Sequence, residues 1–167
     1  MITLILTLML LAGCAGTQQN TTDRNSSTSS SETTSQSVVY KNTQYGIDFI
    51  LPDSWQGYSI ITDEWQGTQD EAVVETGPLI SIRHPDWTSE NPRQDILIMI
   101  FTLAQWDSLQ QDNFHIGAAP IGPSELGRNC KYVFALPARY NYAFPTGYEE
   151  VEAILNIKPL QPTENFD

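Results

Sequence analysis

Two histidines carry the clearest potential for acid–base chemistry in this chain. His84 stands beside Asp86, and His115 follows 31 residues later, each in a stretch without regular periodicity. Either imidazole could act as the general base of a hydrolase. The spacing indicates no serine or cysteine partner, although Cys130 could meet a histidine in the folded chain.

Established catalytic and metal-binding motifs are missing from the sequence. It contains no HExxH, no G-x-S-x-G, no phosphate-binding loop and no paired CxxC. A histidine metal site would need both His84 and His115 together with carboxylates such as Asp86 or Asp112. The sequence therefore predicts no metal, no cofactor and no catalytic residue, and it favours binding over catalysis.

Arg93 and Arg139 are candidates for binding an anionic group. Each lies in an irregular stretch of polar and aromatic residues, in a domain with few basic side chains. Arginine is the residue preferred for two-point contact with a carboxylate. The alternative is an internal ion pair, for example between Arg93 and Asp95, that holds a loop in place.

Aromatic residues accompany these arginines. They could line a cleft for a ligand or partner, or they could attach the loops to the core. Loops on a rigid scaffold commonly carry function, so we predict a binding face formed by segments 83–95, 114–129 and 139–148. The candidate binding residues on this face are His84, Trp87, Arg93, His115, Arg139, Tyr140 and Tyr142.

An apolar run precedes the first cysteine. Residues 2–11 are uncharged, and at ~1.5 Å per residue they span only about half of a bilayer core. The run leads into Leu11-Ala12-Gly13-Cys14, which resembles the bacterial lipoprotein signal. The resemblance implies a signal peptide at 1–13, cleavage before Cys14 and a lipid such as palmitate on its thiol. It places the protein at the extracytoplasmic face of the cell membrane, held there by the lipid.

The segment after Cys14 has the composition of a flexible linker. Of the 21 residues 17–37, 18 are Ser, Thr, Asn or Gln. Such a segment cannot bury enough apolar surface to offset the entropy of ordering. We therefore predict a lipidated cysteine and linker at 14–37, followed by a single folded domain at 38–167.

The charge and the cysteines restrict the partners and the covalent framework. Residues 38–167 contain 18 acidic and 7 basic side chains, which argues against nucleic acid as a partner because phosphate binding needs clustered Lys and Arg. A lipid on Cys14 would leave Cys130 as the remaining cysteine. No disulfide within the chain is then expected, and Cys130 is predicted to be a small buried residue.

Periodicity and turn residues predict mainly β-structure before residue 140. The run at 96–103 is apolar at nearly every position, which is typical of a central strand covered on both faces. Polar, glycine-containing segments at 66–72 and 114–129 are predicted loops. The predicted strands are 38–40, 45–51, 58–62, 79–82, 96–103 and 130–136.

Two capping boxes predict helices, one at 102–105 and the other at 146–149. The second helix would extend to about residue 155. Pro159 and Pro162 are expected to end regular structure. The inner face of the first helix would carry Leu103, Trp106 and Leu109.

Two stretches near the start of the domain resemble a known family. Residues 40–42 (YKN) and 45–55 (YGIDFILPDSW) are similar to the opening of the PsbP-like proteins, where a strand hairpin leads to a Pro-x-x-Trp turn. The resemblance implies an α+β fold, with an antiparallel β-sheet flanked by helices. It also favours an accessory or binding role, since most PsbP-like proteins have one.

The domain also resembles a group of uncharacterised lipoproteins of Gram-positive bacteria. The similarity lies in HPDW at 84–87, NPRQD at 91–95, HIGAAP at 115–120 and ARYNY at 138–142. We expect a lipid-anchored, non-catalytic binding or accessory module whose partner is an envelope protein or a small ligand. The alternatives are a cell-envelope hydrolase using His84 or His115, and a purely structural or immunity-type surface protein.

Overall fold

A computed structural model of the chain describes residues 37–118 and 120–163. The predicted signal peptide and Cys14, and the linker up to residue 36, lie outside the described residues. The described part is a mixed α+β structure with antiparallel sheets. Its elements are β1 (Val38–Asn42), β2 (Ile47–Leu51), a 3₁₀ turn (Asp53–Trp55), β3 (Ser59–Gln69), β4 (Ala72–Arg83), β5 (Ile96–Thr102), α1 (Leu103–Gln110), β6 (His115–Ile116), β7 (Ser124–Arg128), β8 (Tyr132–Leu136), α2 (Tyr148–Asn156) and β9 (Leu160–Pro162).

A small three-stranded sheet has the order β1-β2-β9. Alternate residues of β2 are buried, as its sequence predicted. The expectation that Pro159 and Pro162 end regular structure was wrong, because β9 begins directly after Pro159, includes Pro162 and pairs with β2. The strand is short and lies at the sheet edge, where a proline that cannot donate a hydrogen bond is tolerated.

The larger sheet has six strands in the order β6-β3-β4-β5-β8-β7 and curls into a half-barrel. Its longest element is the β3–β4 hairpin, so the loop predicted at 66–72 was wrong. Both turn residues, Asp70 and Glu71, have positive φ angles. Positive φ at two central residues is typical of tight hairpin turns, but such turns usually contain asparagine or glycine. The buried Gly67 also hides the apolar alternation that would have indicated a strand.

The strand β5 separates two hydrophobic cores. Ile96, Ile98 and Ile100 belong to the core shared with the small sheet and α2, whereas Met99 and Phe101 belong to the core under α1. Because side chains alternate between the faces of a strand, β5 is apolar at almost every position. The prediction of a central strand covered on both faces is confirmed.

The first helix forms as predicted, with one error. The Thr102 side chain accepts a hydrogen bond from the backbone N–H of Gln105, and the Gln105 side chain caps Thr102 in return. Trp106 and Leu109 are buried, but Leu103 is 37% exposed and does not belong to the inner face. No helix among the described residues is long and apolar enough to span a bilayer.

The second helix begins differently from its prediction. The predicted capping box at 146–149 does not form, because the residue that precedes α2 is Gly147, which has a φ of 83° and offers no side-chain cap. Glu149 and Glu150 lie in the first turn, where carboxylates interact favourably with the helix dipole. Val151 and Ile154 are buried against the first core.

Two further expectations for the second half of the chain need correction. The segment 114–129 is not one long loop, since it contains β6, paired with β3, and β7, paired with β8. Cys130 is exposed and not buried. It lies in the tight connection between β7 and β8, which faces solvent, and not in the strand that its apolar neighbours suggested.

An aromatic stack fills the core under α1. The ring of Trp65 lies 4.4 Å from that of Phe101, at an interplanar angle of 28°, and 6.2 Å from that of Phe114, at 3°. The Trp65 indole N–H donates to the carbonyl of Ile100 at 2.8 Å. Gly77, directly opposite Trp65 on β4, leaves room for the indole, because a Cβ there would lie 2.5 Å from the ring.

We therefore expect Gly77→Ala to destabilise the domain by about 1–3 kcal/mol, the usual cost of overpacking. Thermal unfolding followed by circular dichroism measures the effect. Gly122→Ala is the matched control, because a Cβ at Gly122 meets nothing within 4 Å. Equal melting temperatures of the two variants would show that the indole does not occupy this space.

Candidate functional site

Six of the seven predicted binding residues lie around the N-terminal end of α2. The backbone N–H of Gln94 donates to the carbonyl of Thr146 at 2.8 Å, which joins segment 83–95 to the approach to α2. Asn141 donates a hydrogen bond to Glu152 of α2 and so attaches segment 139–142 to the same helix. The residues brought to this end are His84, Trp87, Arg93, Arg139, Tyr140 and Tyr142.

Glu150 is the centre of this region. Its Oε1 accepts hydrogen bonds from the Ser54 hydroxyl at 2.8 Å and from the Trp55 indole N–H at 3.2 Å. Its Oε2 accepts from Arg93 Nη2 at 3.0 Å. We call Ser54, Trp55, Arg93 and Glu150 the Glu150 cluster. The cluster joins the 3₁₀ turn, segment 83–95 and α2, which are far apart in sequence.

The ion pair proposed between Arg93 and Asp95 does not form. Asp95 instead accepts from Arg83, at 3.2 Å from Nε and 2.8 Å from Nη2. The reason is register: Ile82 pairs with Ile96 across β4 and β5, so Arg83 and Asp95 occupy the next facing positions. The Arg83 guanidinium also covers the ring of Trp87, with Cζ 3.8 Å from its centroid. Trp87 is therefore partly engaged within the domain.

His84 is only 5% exposed. The backbone N–H of Asp86 donates to its Nδ1 at 3.1 Å, and its ring meets that of Trp55 edge-on at 5.0 Å. Burial lowers the pKa of His84, as does the nearby charge of Arg93, against smaller opposing effects of Glu150 and Asp86. The imidazole is thus neutral with its proton on Nε2, and the nitrogen that could accept a proton is already occupied.

His115 lies apart from the other candidates. It is exposed on β6 and pairs with Thr68, whereas His84 follows Arg83, which pairs with Ser59 at the other end of β3. Nine residue steps along β3 correspond to roughly 30 Å of strand. The two histidines therefore cannot act on one substrate. Among the described residues no group of three or more His, Cys, Asp or Glu side chains could hold a metal ion.

The aromatic residues before α2 divide into buried and exposed members. Tyr140 packs against the first core, whereas Tyr142 is 73% exposed and Phe144 is 66% exposed. Arg139 and Phe144 have positive φ angles of 55° and 45°, which are unusual for residues with a Cβ. The Arg139 guanidinium lies 5.6 Å from the ring centroid of Tyr142. We call residues 139–144 the aromatic turn.

A cavity that the sequence did not indicate lies between the two sheets. It has a volume of about 330 Å³ and a wall with two tyrosines, with β1 and the β1–β2 turn on one side and the middle of β3 and β4 on the other. We call it the tyrosine cavity. Each of its segments has the pattern of an ordinary strand or turn, so only the packing of the small sheet against β3 and β4 reveals the cavity. Its lining includes Tyr40, Asn42, Gln44, Tyr45 and Glu64.

Comparisons with known proteins give no relative from which a function could be transferred. No protein-family model, curated protein or solved structure matches this chain significantly. The resemblances to PsbP-like proteins and to Gram-positive lipoproteins therefore stay predictions from the sequence.

The buried state of His84 predicts a pH dependence of stability. Its pKa in the folded domain lies below the ordinary value of 6.5, so the unfolded chain takes up a proton first as the pH falls. We expect the free energy of unfolding to decrease as the pH falls from about 7 through the ordinary histidine pKa of 6.5. Urea unfolding at several pH values measures this decrease.

Two glutamine variants distinguish the contributions of His84 and His115 to this pH dependence. His84→Gln should flatten the dependence in this window, because the titrating group is gone. His115→Gln should retain it, since His115 is exposed. An unchanged dependence in His84→Gln would contradict a neutral, buried His84.

Proposed function

We propose that this chain is a lipid-anchored, extracytoplasmic lipoprotein whose folded domain is a non-catalytic binding module. The anchor would be the lipid on Cys14, and residues 14–37 would be the flexible linker. The binding face would be the aromatic turn. The partner would be a protein or ligand of the cell envelope.

The support for the anchor comes from the sequence. An apolar run of signal-peptide length is followed by Leu11-Ala12-Gly13-Cys14, and then by a polar segment without apolar residues. Two acyl chains on one cysteine would hold a protein at a membrane far more firmly than one chain, since each buried CH₂ contributes ~0.8 kcal/mol. The linker would let the domain reach partners away from the bilayer surface.

The arrangement of the small sheet supports a PsbP-like fold. In the stretch that resembles that family, β1 and β2 pair as an antiparallel hairpin. Pro52 then leads into the 3₁₀ turn, whose Trp55 is fully buried in the first core. The Trp55 ring fills part of the first core. This burial explains why the Pro-x-x-Trp turn carries a tryptophan at its fourth position.

The observation that carries the binding role is the exposure of the aromatic turn. Tyr142 and Phe144 present large rings to solvent, and Phe144 does so from a backbone conformation that costs about 1 kcal/mol or more. Neither exposure nor strain stabilises the free domain. Strained, exposed aromatic residues are instead typical of contact surfaces, where burial against a partner offsets the cost.

The remaining candidates at this end have structural roles. Arg93 is bound by Glu150, His84 is buried beside Trp55, and Trp87 lies under Arg83. A ligand could reach Arg93 only by competing with a carboxylate already in place. The aromatic turn lies beside this rigid support, which fixes its position relative to α2.

A hydrolase that uses His115 is the second candidate function. One observation favours it: exposed His115 lines a cavity of about 320 Å³ together with Asp112. An imidazole and a carboxylate in one cavity could activate water. Against it, the cavity wall contains no serine, cysteine or threonine nucleophile among the described residues.

The test uses the full chain in its native membrane. We expect labelled palmitate to be incorporated into the wild type and lost in Cys14→Ala. We also expect crosslinking of intact membranes to capture a specific partner. The double variant Tyr142→Ala, Phe144→Ala should lose this partner, because both exposed rings are removed from the contact surface.

The matched control is the double variant Val73→Ala, Val74→Ala, which removes exposed apolar surface at the far tip of the β3–β4 hairpin. It should retain the partner. Incorporation of palmitate without Cys14 would contradict the anchor. Loss of the partner in both double variants, or in neither, would contradict the aromatic turn as the binding face.

A further inference from the structure

The tyrosine cavity is formed by side chains from both sheets. Thr62 pairs with Ile80 and Glu64 with Pro78 across β3 and β4, so these four side chains share one face of the hairpin. Ile80 belongs to the core that also contains Tyr40 of β1. Glu64 therefore extends on the face that looks toward the small sheet.

The opposite wall is polar but uncharged. The Tyr40 hydroxyl accepts from the Asn42 side-chain amide at 2.7 Å, and the Tyr45 hydroxyl accepts from that of Gln44 at 3.1 Å. In these bonds the hydroxyl oxygens are acceptors, so each still has a proton to donate. Burial raises the pKa of both tyrosines, so the hydroxyls stay protonated at neutral pH.

The charged residues that line the tyrosine cavity are all acidic. Its lining residues include no Lys, Arg or His within the described part of the chain. The nearest lysine in sequence, Lys41, points to the other face of β1 and pairs with Asp48 at 3.2 Å. Asp63 also belongs to the lining and adds a second carboxylate at the edge of the cavity, although it starts from the face of the hairpin that carries Trp65. Glu64 thus faces the cavity without a cationic partner in the wall.

From this arrangement we infer that the tyrosine cavity binds a small organic ammonium ion. The carboxylate of Glu64 supplies the opposite charge, and the rings of Tyr40 and Tyr45 supply the aromatic surface that attracts cations. Pro78 and Ile80 contribute apolar contacts for the carbon skeleton. A cavity of about 330 Å³ is at the lower end of the range for small-molecule sites, which fits an ion of this size.

This site is separate from the aromatic turn, and its test does not depend on the lipid anchor. The probe is choline, compared with its neutral isostere in which carbon replaces the quaternary nitrogen. Signals of isotope-labelled tyrosine rings in the full chain report binding by NMR titration. We expect choline to shift the Tyr40 and Tyr45 signals saturably, with added salt weakening the effect, and the neutral isostere to bind at least about threefold more weakly.

Charge variants locate the site. Glu64→Gln should weaken choline binding by about two- to fivefold, because an attractive charge is removed without a change of shape. Glu71→Gln, the same change at the tip of the same hairpin, should leave it unaltered. Gln44→Glu adds a further carboxylate to the wall and should strengthen binding, so the inference stays testable even if Glu64→Gln fails to fold.

Several results would overturn the inference. Equal binding of choline and its neutral isostere would show a merely apolar cavity. The absence of saturable shifts would show that the cavity binds neither probe. Equal effects of Glu64→Gln and Glu71→Gln would show a response to overall charge, and unchanged binding in Gln44→Glu would place the ammonium ion elsewhere.

Discussion

The contacts made by the carboxylate of Glu150 determine the organisation of one end of the domain. A helix begins there, a 3₁₀ turn places Trp55 in the core, and segment 83–95 returns from β4 to β5. These three segments have no backbone pairing with one another in a sheet. Hydrogen bonds from Ser54, Trp55 and Arg93 to one carboxylate satisfy polar groups that would otherwise be costly to enclose. The aromatic turn is displayed beside this fixed arrangement.

The sequence predicted those elements whose signals are local. The capping box at Thr102 and Gln105 and the apolar run of β5 depend on neighbouring residues only, and both formed as expected. The β3–β4 turn was missed because Asp70 and Glu71 adopt a conformation usually filled by asparagine and glycine. The capping box before α2 failed because Gly147 begins the helix one residue later than the motif requires.

Side-chain partners were harder to predict than elements. Asp95 is two residues from Arg93, yet it pairs with Arg83, because strand register brings positions 83 and 95 face to face. Arg93 reaches Glu150, 57 positions away in the chain. The tyrosine cavity was missed for a similar reason, because its walls come from two sheets whose residues are distant in sequence. The residue types therefore indicated the end of the domain at which most of the predicted binding residues lie. They did not indicate which of these residues remain available to a ligand.

The predicted binding residues fall into two groups. His84, Trp87 and Arg93 support the structure, while Tyr142, with Arg139 over its ring, remains exposed. This separation explains how an acidic domain with few basic residues can use Arg93 and Arg139 in different ways. It also implies that truncation of Arg93 lowers the free energy of unfolding of the domain and affects partner binding only indirectly.

The most direct test of this account is a double-mutant cycle between Arg93→Met and Glu150→Gln, measured as free energies of unfolding in urea. Both side chains are partly exposed, so solvent screening limits the coupling to about 1 kcal/mol. We expect the two single variants to be destabilised and the double variant to lose less than their sum by that amount. Additivity within about 0.3 kcal/mol would contradict the account, because Arg93 would then be available for binding.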